Sequence, residues 1–271
     1  MSSLNASILL TAVVSLPCYT PAVRVAKPFT LLAKVYDTIF ADVEYDQWAE
    51  FVLTYLEKAG AILEPTKIRI LDLACGTASS SAPYLERGFE VIGVDSSEEM
   101  LEQAQIKFPD VKFVQQGFTE LDLTQRFELV TCVFDSLNNL IEQSDLEKTF
   151  QNVTKHLKPG GWFVFDMNTR QGVRELWDDD RFEGEIITEH EHINYSWTHE
   201  YDAALELGVV TAHCKTQTLE FSEQHFERGY DPSELEPMLL QAGFGFVEFL
   251  EFPDFTEPDT DSPRIWCFAR V

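Results

Sequence analysis

The sequence predicts an α/β protein: a doubly wound, seven-stranded, mostly parallel sheet with an antiparallel last strand and a small antiparallel β insertion after the fifth strand. Three observations carry this expectation. Short apolar runs alternate with stretches of helical periodicity over residues 67–166, as in a parallel sheet covered on both faces. From about Asp178 to Tyr230 the rhythm gives way to polar–apolar alternation, with Ile186, Ile193, Tyr195, Trp197, Tyr201 and Val209 in place. The connector Pro253–Pro263 is acidic, holds three prolines and has no helical stripe. A parallel crossover needs about a dozen residues or more and usually a helix, so the last two strands should pair antiparallel.

The elements follow in order. Tyr45, Trp48, Phe51, Val52, Tyr55 and Leu56 mark a helix over about Glu44–Lys58. Lys67–Ala74 is the first strand of the repeat, followed by a helix through Tyr84 to Gly88; Phe89–Asp95 is the second strand. Ser96-Ser97-Glu98-Glu99 is a helix-capping sequence. Val111–Gln115 and Phe127–Phe134 are the third and fourth strands. Leu146, Phe150, Val153 and Leu157 stripe a helix that Pro159-Gly160-Gly161 should stop, before a fifth strand at Trp162–Asp166. After the insertion, Pro232 suits the first turn of a helix ending near Gly243. Phe244–Phe252 and Arg264–Val271 close the sheet.

Composition bounds the function. Lys and Arg total 20 against 46 Asp and Glu, for a formal charge of -26 over 271 residues. Such a field repels a phosphate polyanion and attracts a cationic small molecule. With 45% hydrophobic residues the chain can bury a core of its own. The five cysteines have no framework spacing and read as reduced thiols in a cytoplasmic protein. The apolar stretch Ser7–Leu16 is too short to span a bilayer and has no basic residue before it, so neither a membrane anchor nor a secretory signal is expected.

The ligand of an open parallel sheet binds beyond the carboxyl ends of its strands, where strand order reverses. The first such end reads Leu71-Asp72-Leu73-Ala74-Cys75-Gly76-Thr77-Ala78, with small residues at 74, 76 and 78 that admit a ligand to the backbone. Asp95 ends the next strand, 19 residues after Gly76, where a carboxylate can accept both hydroxyls of a ribose. A dinucleotide fits less well. The first and third glycines of its fingerprint fall on Ala74 and Ser79, and Asp72 would repel a pyrophosphate. An adenosine joined to an amino-acid cation, ammonium or sulfonium, fits better.

These segments carry a resemblance. Ile70–Ala78 resembles the first motif, and Val91–Leu101 the second, of the class I S-adenosylmethionine-dependent methyltransferases; Leu157–Phe165 is similar to their helix-to-fifth-strand signature. The resemblance implies a Rossmann-like domain with S-adenosylmethionine as cofactor. It implies that Asp72 and the turn at Ala74, Cys75 and Gly76 hold the methionine end, that Asp95 with Ser96 takes the ribose, and that Met100 covers the adenine. Gln116, Gly117 and Phe118 would lie at the adenine edge and Phe134 beside the methionine moiety. Phe118 departs from the acidic residue often found there. Tyr36-Asp-Thr-Ile-Phe40, with Tyr45-Asp46-Gln-Trp48, resembles the lid helix of the small-molecule members, which places Tyr36 against the cofactor.

Displacement at a sulfonium needs positioning first, and a base only when the nucleophile arrives protonated. Asp135 is the first candidate for such a base, with Ser136, Asn138, Asp166 and Asn168 nearby; capping and turn formation are the plain alternatives. His225, in a segment similar to one in small-molecule methyltransferases, is the second candidate, because an imidazole titrates near neutrality. His190, His192, His199 and His213 lack a standard zinc spacing, and no metal is expected. Asp178–Asp180 and the 251–261 stretch read as solvated loops, or as a lure for an amine with Trp177, Trp197 or Tyr195.

The expected organisation is an N-terminal segment with lid helices (1–60), a cofactor domain (61–177 and 231–271) and a β insertion (178–230) over the acceptor pocket. The expected activity is methyl transfer to nitrogen or oxygen of a small molecule, with no nucleic-acid or membrane partner. A tRNA- or protein-directed methyltransferase, a non-catalytic cofactor-binding protein and a dehydrogenase remain as alternatives.

Overall fold

The computed structural model describes residues 23–61, 63–176, 181–188 and 192–271. The apolar stretch 7–16, Cys18, Trp177, the acidic triplet 178–180 and His190 lie outside the described residues. The chain runs β1 (Arg24–Ala26), α1 (Tyr36–Ile39), α2 (Tyr45–Lys58), β2 (Arg69–Leu73), α3 (Ala82–Glu86), β3 (Glu90–Asp95), α4 (Glu98–Lys107), β4 (Lys112–Gln115) and β5 (Phe127–Cys132). It continues with α5 (Gln143–His156), β6 (Leu157–Asn168), α6 (Arg170–Leu176), β7 (Arg181–Ile187), β8 (His192–Asp202), β9 (Leu207–Lys215), β10 (Glu220–Glu227), α7 (Pro232–Ala242), β11 (Phe246–Leu250) and β12 (Arg264–Arg270).

Seven strands form the main sheet in the order β11-β12-β6-β5-β2-β3-β4. β4, β3, β2, β5 and β6 are parallel, and β12 runs antiparallel to both β6 and β11. The order turns back at β2, whose neighbours are β3 and β5. Their carboxyl ends therefore open the crevice expected of such a reversal. The sheet is apolar on both faces. Leu71, Val130, Phe163 and Phe165 pack on one side with α5 and α7 residues such as Phe150 and Leu239; Ile70, Leu129 and Val164 pack on the other with Phe51, Val52 and Leu56 of α2. Each such buried side chain contributes about 1.5–3 kcal/mol of burial energy.

Two boundaries differ from expectation. The Pro159-Gly160-Gly161 segment belongs to β6, which starts at Leu157, because Leu157 pairs with Phe127 before the register shifts near Leu129. The helix after the glycine turn is only five residues long. Elsewhere local rules hold. Ser97 caps α4 by accepting from the Met100 amide at 3.1 Å. Asp231 and Glu234 form a capping box on α7, which Gly243 ends at φ 108°.

The other strands form a five-stranded sheet, β1-β10-β9-β8-β7. β7 to β10 are an antiparallel meander, and β1 joins in parallel with Arg24 opposite Phe221. That N-terminal strand has no counterpart in the sequence reading. Its inner face carries a separate core of Leu32, Val35, Ile193, Cys214 and Phe221, so the N-terminal segment and the insertion fold as one layer. Cys75, Cys132, Cys214 and Cys267 are buried and unpaired.

Candidate active site

Beyond the carboxyl ends of β2, β3 and β4 lies a cavity of about 410 Å3. Ala74 and Gly76 form one wall, Asp95, Ser96 and Met100 a second, and Gln116, Gly117 and Phe118 a third. Pro28, Phe29 and Tyr36 close it from the N-terminal segment, and Phe226 from β10. The turn is tightly wound: Ala74, Gly76 and Ala78 all adopt φ near 60°, at 58°, 53° and 64°. A left-handed conformation at alanine costs roughly 1–2 kcal/mol, which the surrounding structure must offset.

Asp95 organises the site. Its Oδ2 accepts the Gly76 amide at 2.9 Å and its Oδ1 the Ser97 amide at 2.8 Å. Burial pushes its carboxyl above the usual range, and those amides oppose the shift. Each carboxylate oxygen has a second lone pair, so both remain able to accept a ribose hydroxyl. A Cβ built at Gly76 meets nothing within 4 Å, which leaves room at the turn for a ligand to reach the backbone. Leu73, Met100 and Phe118 supply apolar surface for a flat base. These features fit an adenosyl ligand, and the volume lies within the usual range for one.

Three expectations about this cavity need correction. Asp72 does not line it. Its carboxylate is 1% exposed and accepts hydroxyls from Ser80 at 2.7 Å, Ser81 at 2.5 Å and Thr131 at 3.1 Å. Asp72 therefore braces the strand-to-helix turn from behind. Cys75 is also turned away: its thiol lies where a Cβ on Gly93 would stand, 2.7 Å from it. Phe134 lines not this cavity but its neighbour.

The neighbouring cavity is about 280 Å3. It shares Phe29, Tyr36, Ser136 and Asn139 with the first. Its remaining walls are aromatic (Phe40, Phe134, Phe182 and Trp197), aliphatic (Leu32, Val210 and Ala212) and polar (Asp135, Asn168, His199, His225 and Glu227). Phe40 stacks on Trp197 with ring centroids 6.0 Å apart and meets Phe134 edge-on at 5.6 Å. Phe134 and Asp135 both hold left-handed backbone, at φ 64° and 48°. Asp166 enforces this by accepting the two amides at 2.7 and 3.1 Å. Arg264 neutralises Asp166 from behind, with Nε at 2.7 Å, and its guanidinium lies 3.8 Å from Asp135. Asn168 donates to Asp135 Oδ2 at 2.8 Å.

His225 lies on this second cavity, 5% exposed, with its Nε2 lacking a hydrogen-bond partner. Desolvation lowers its pKa to about 4. The imidazole is therefore neutral near pH 7 and a poor proton acceptor, so the expectation of a base titrating near neutrality is corrected. Asn138 and Asp166 serve the scaffold: the Asn138 amide donates to the carbonyls of Asn168 and Arg228. His192 pairs with Glu185, and His213 lies 3.3 Å from Glu220. Among the described residues no three His, Cys, Asp or Glu side chains gather as a metal site.

The sequence reading missed Phe29, Asn139, Phe226, Arg264 and Glu227. For Glu227 a signal existed: Glu223, His225 and Glu227 are two apart on a strand and share one face.

A doubly wound sheet with this antiparallel edge, a cavity with Asp95 at the strand end and a second cavity sharing its walls has the form of the class I methyltransferases. Comparisons agree. Residues 70–161 match the family described as "Methyltransferase domain". YqeM of Bacillus subtilis (strain 168), named as a methyltransferase, is 35% identical over 250 residues, 88% of this chain and 95% of that protein. The dTDP-4-amino-2,3,4,6-tetradeoxy-D-glucose N,N-dimethyltransferase of Saccharopolyspora spinosa is 25% identical over 171 residues, 61% of this chain and 66% of that one. The crystal structure of a S-adenosylmethionine-dependent methyltransferase from Clostridium acetobutylicum ATCC 824 superposes with a TM-score of 0.74 at 26% identity, covering 89% of this chain and 97% of that one. The chain belongs to the class I S-adenosylmethionine-dependent methyltransferases, and S-adenosylmethionine is its cofactor.

Proposed function

We propose that the enzyme methylates nitrogen or oxygen of a small molecule held in the 280 Å3 cavity, with strands β7 to β10 as its roof. The observation that carries this is the sharing of Phe29, Tyr36, Ser136 and Asn139 between the two cavities. A donor in one and an acceptor in the other would meet at those four residues. The amino-sugar dimethyltransferase among the relatives favours a small acceptor, as does the overall charge of -26. No helix among the described residues is long and apolar enough to cross a membrane. We place the enzyme in the cytoplasm with no nucleic-acid partner.

When bound, S-adenosylmethionine supplies a methyl group on a sulfonium, already activated for displacement. Asp95, with Ser96, would hold the ribose, Met100 and Phe118 the base, and the Ala74–Gly76 backbone the methionine end; Gln116 and Gly117 edge the base. The chain's remaining work is orientation and exclusion of water. Tyr36 stays a neutral phenol, because burial pushes its pKa well up. It can donate a hydrogen bond at the junction of the cavities. Phe29, Phe40 and Phe134 dry the reaction volume, while Asp135 and the neutral His225 orient the acceptor.

A labelled-methyl screen over amines, hydroxylated aromatics and carboxylates tests this reading. Transfer to one of these classes is expected. No transfer to any, with S-adenosylhomocysteine still bound, would favour a non-catalytic binding protein.

A further inference from the structure

The acceptor cavity has an unbalanced hydrogen-bonding inventory. Glu227 Oε2, Asn168 Oδ1 and His225 Nε2 are all buried without a partner. Asn168 is 1% and His225 5% exposed. Buried polar atoms of this kind are rare in folded proteins, and each costs about 1–3 kcal/mol if left unmet. Asn168 Oδ1 can only accept, Glu227 Oε2 accepts once its carboxyl is ionised, and the Asp135 carboxylate is a third accepting group on the same wall. No Lys or Arg lines the cavity among the described residues. The nearby guanidinium, Arg264, lies outside this lining; it pairs with Asp166 through Nε at 2.7 Å, and its Nη2, buried without a hydrogen-bond partner, lies 3.8 Å from Asp135. The wall formed by Asp135, Asn168 and Glu227 is thus rich in acceptors, and Phe40, Phe134 and Trp197 enclose it with apolar surface.

An alcohol offers one donor to this set, whereas an ammonium offers three. Resting on the acceptor reading above, we propose that the methyl acceptor is a compact amine that binds as its ammonium ion to Glu227, Asn168 and Asp135, and that Glu227 removes its proton. In that step an N–H bond of the ammonium breaks and its electron pair stays on nitrogen. The proton goes to Glu227 Oε2, which becomes a carboxylic acid. The freed lone pair is the nucleophile for the methyl group. Glu227 suits this task, because burial and the Asp135 charge hold its carboxyl well above the usual range, against the lowering effects of Asn168 and Arg264. The placement also fits: Glu227 lines the acceptor cavity, and Phe226, next in the strand, lines the cofactor cavity.

The test is calorimetric binding to the full chain saturated with S-adenosylhomocysteine, using cyclohexylammonium and cyclohexanol as matched probes. The ammonium should bind about tenfold or more tightly than the alcohol. Glu227→Gln should abolish that preference and keep S-adenosylhomocysteine affinity within about twofold, which also shows that the variant is folded; Glu227→Asp should retain part of it. Equal binding of the two probes, binding of neither, or an ammonium preference that survives Glu227→Gln would overturn the proposal while leaving the cofactor site standing. Failure of the wild-type chain to bind S-adenosylhomocysteine would instead overturn the reading beneath it.

Discussion

The backbone amide of Phe29 donates to Glu223 Oε2 at 2.7 Å, joining residues 194 positions apart. The same carboxylate takes the Leu32 amide at 2.9 Å and the Thr30 hydroxyl at 3.3 Å through Oε1. The Phe29 carbonyl in turn accepts the Ser97 hydroxyl at 2.7 Å, from the residue that caps α4. One residue thus ties the roof sheet to the cofactor cavity, and its ring lines both cavities. Asp37 adds a second tie, accepting hydroxyls from Thr77 at 2.5 Å and Ser79 at 3.0 Å and pairing with Lys107 at 2.5 Å.

Glu223→Gln should loosen this strap. A carboxamide keeps one accepting oxygen and turns an N–H toward amides that need an acceptor. The expected cost is about 1–3 kcal/mol. Native-state hydrogen exchange should show faster exchange over residues 29–36, with strands β2 and β3 unchanged. Unaltered exchange there would remove Glu223 from its anchoring role.

Asp95→Ala should weaken S-adenosylhomocysteine binding by about 1–3 kcal/mol, or roughly 5- to 150-fold, through loss of charge-assisted hydrogen bonds. It also deprives the Gly76 and Ser97 amides of their acceptor. Titration calorimetry on the folded variant reads the effect, and an unchanged Kd would refute the ribose assignment.

Gly93→Ala tests the packing beneath the turn. A Cβ there would stand 2.6 Å from Phe113 Cδ1 and 2.7 Å from Cys75 Sγ, in the middle of β3. Overpacking of this kind costs about 1–3 kcal/mol. Thermal unfolding should show a lowered Tm, accompanied by weaker nucleoside binding as the turn at Cys75 shifts.

His225 makes a pH prediction with a definite sign. Its pKa falls from 6.5 in the unfolded chain to about 4 in the fold. Between those values the unfolded state holds the extra proton, so the His225 contribution is present above pH 6.5 and lost as pH falls toward 4. The stability difference between wild type and His225→Gln should therefore move against the wild type by roughly 3 kcal/mol from pH 7 to pH 4. Denaturant titrations at the two pH values measure it; a pH-independent difference would mean that the imidazole is not buried as described.

The sequence carried the sheet and most residues lining the first cavity because both rest on local rules. Asp95 follows from a strand end at a set distance from Gly76, the cap at Ser97 from its neighbours, and the antiparallel last pair from the connector 253–263. Asp72 shows where local rules stop: its charge is legible, but its direction is set by Ser80, Ser81 and Thr131. Phe29 was illegible for a related reason, whereas Glu227 was legible as a strand-face partner of His225 and Glu223. The role of Phe29 depends on β1 docking beside β10, a pairing that no local pattern encodes. The neutrality of His225 likewise follows from burial beneath the Phe29 ring, 4.6 Å away.

Diffraction from crystals soaked in S-adenosylhomocysteine tests the central claim most directly. Density for the nucleoside should fill the cavity between Gly76 and Phe118, with the ribose hydroxyls on the Asp95 oxygens and the sulfur facing Tyr36 and the acceptor cavity. A nucleoside seated elsewhere, or an open cavity that stays empty at saturating concentration, would contradict it.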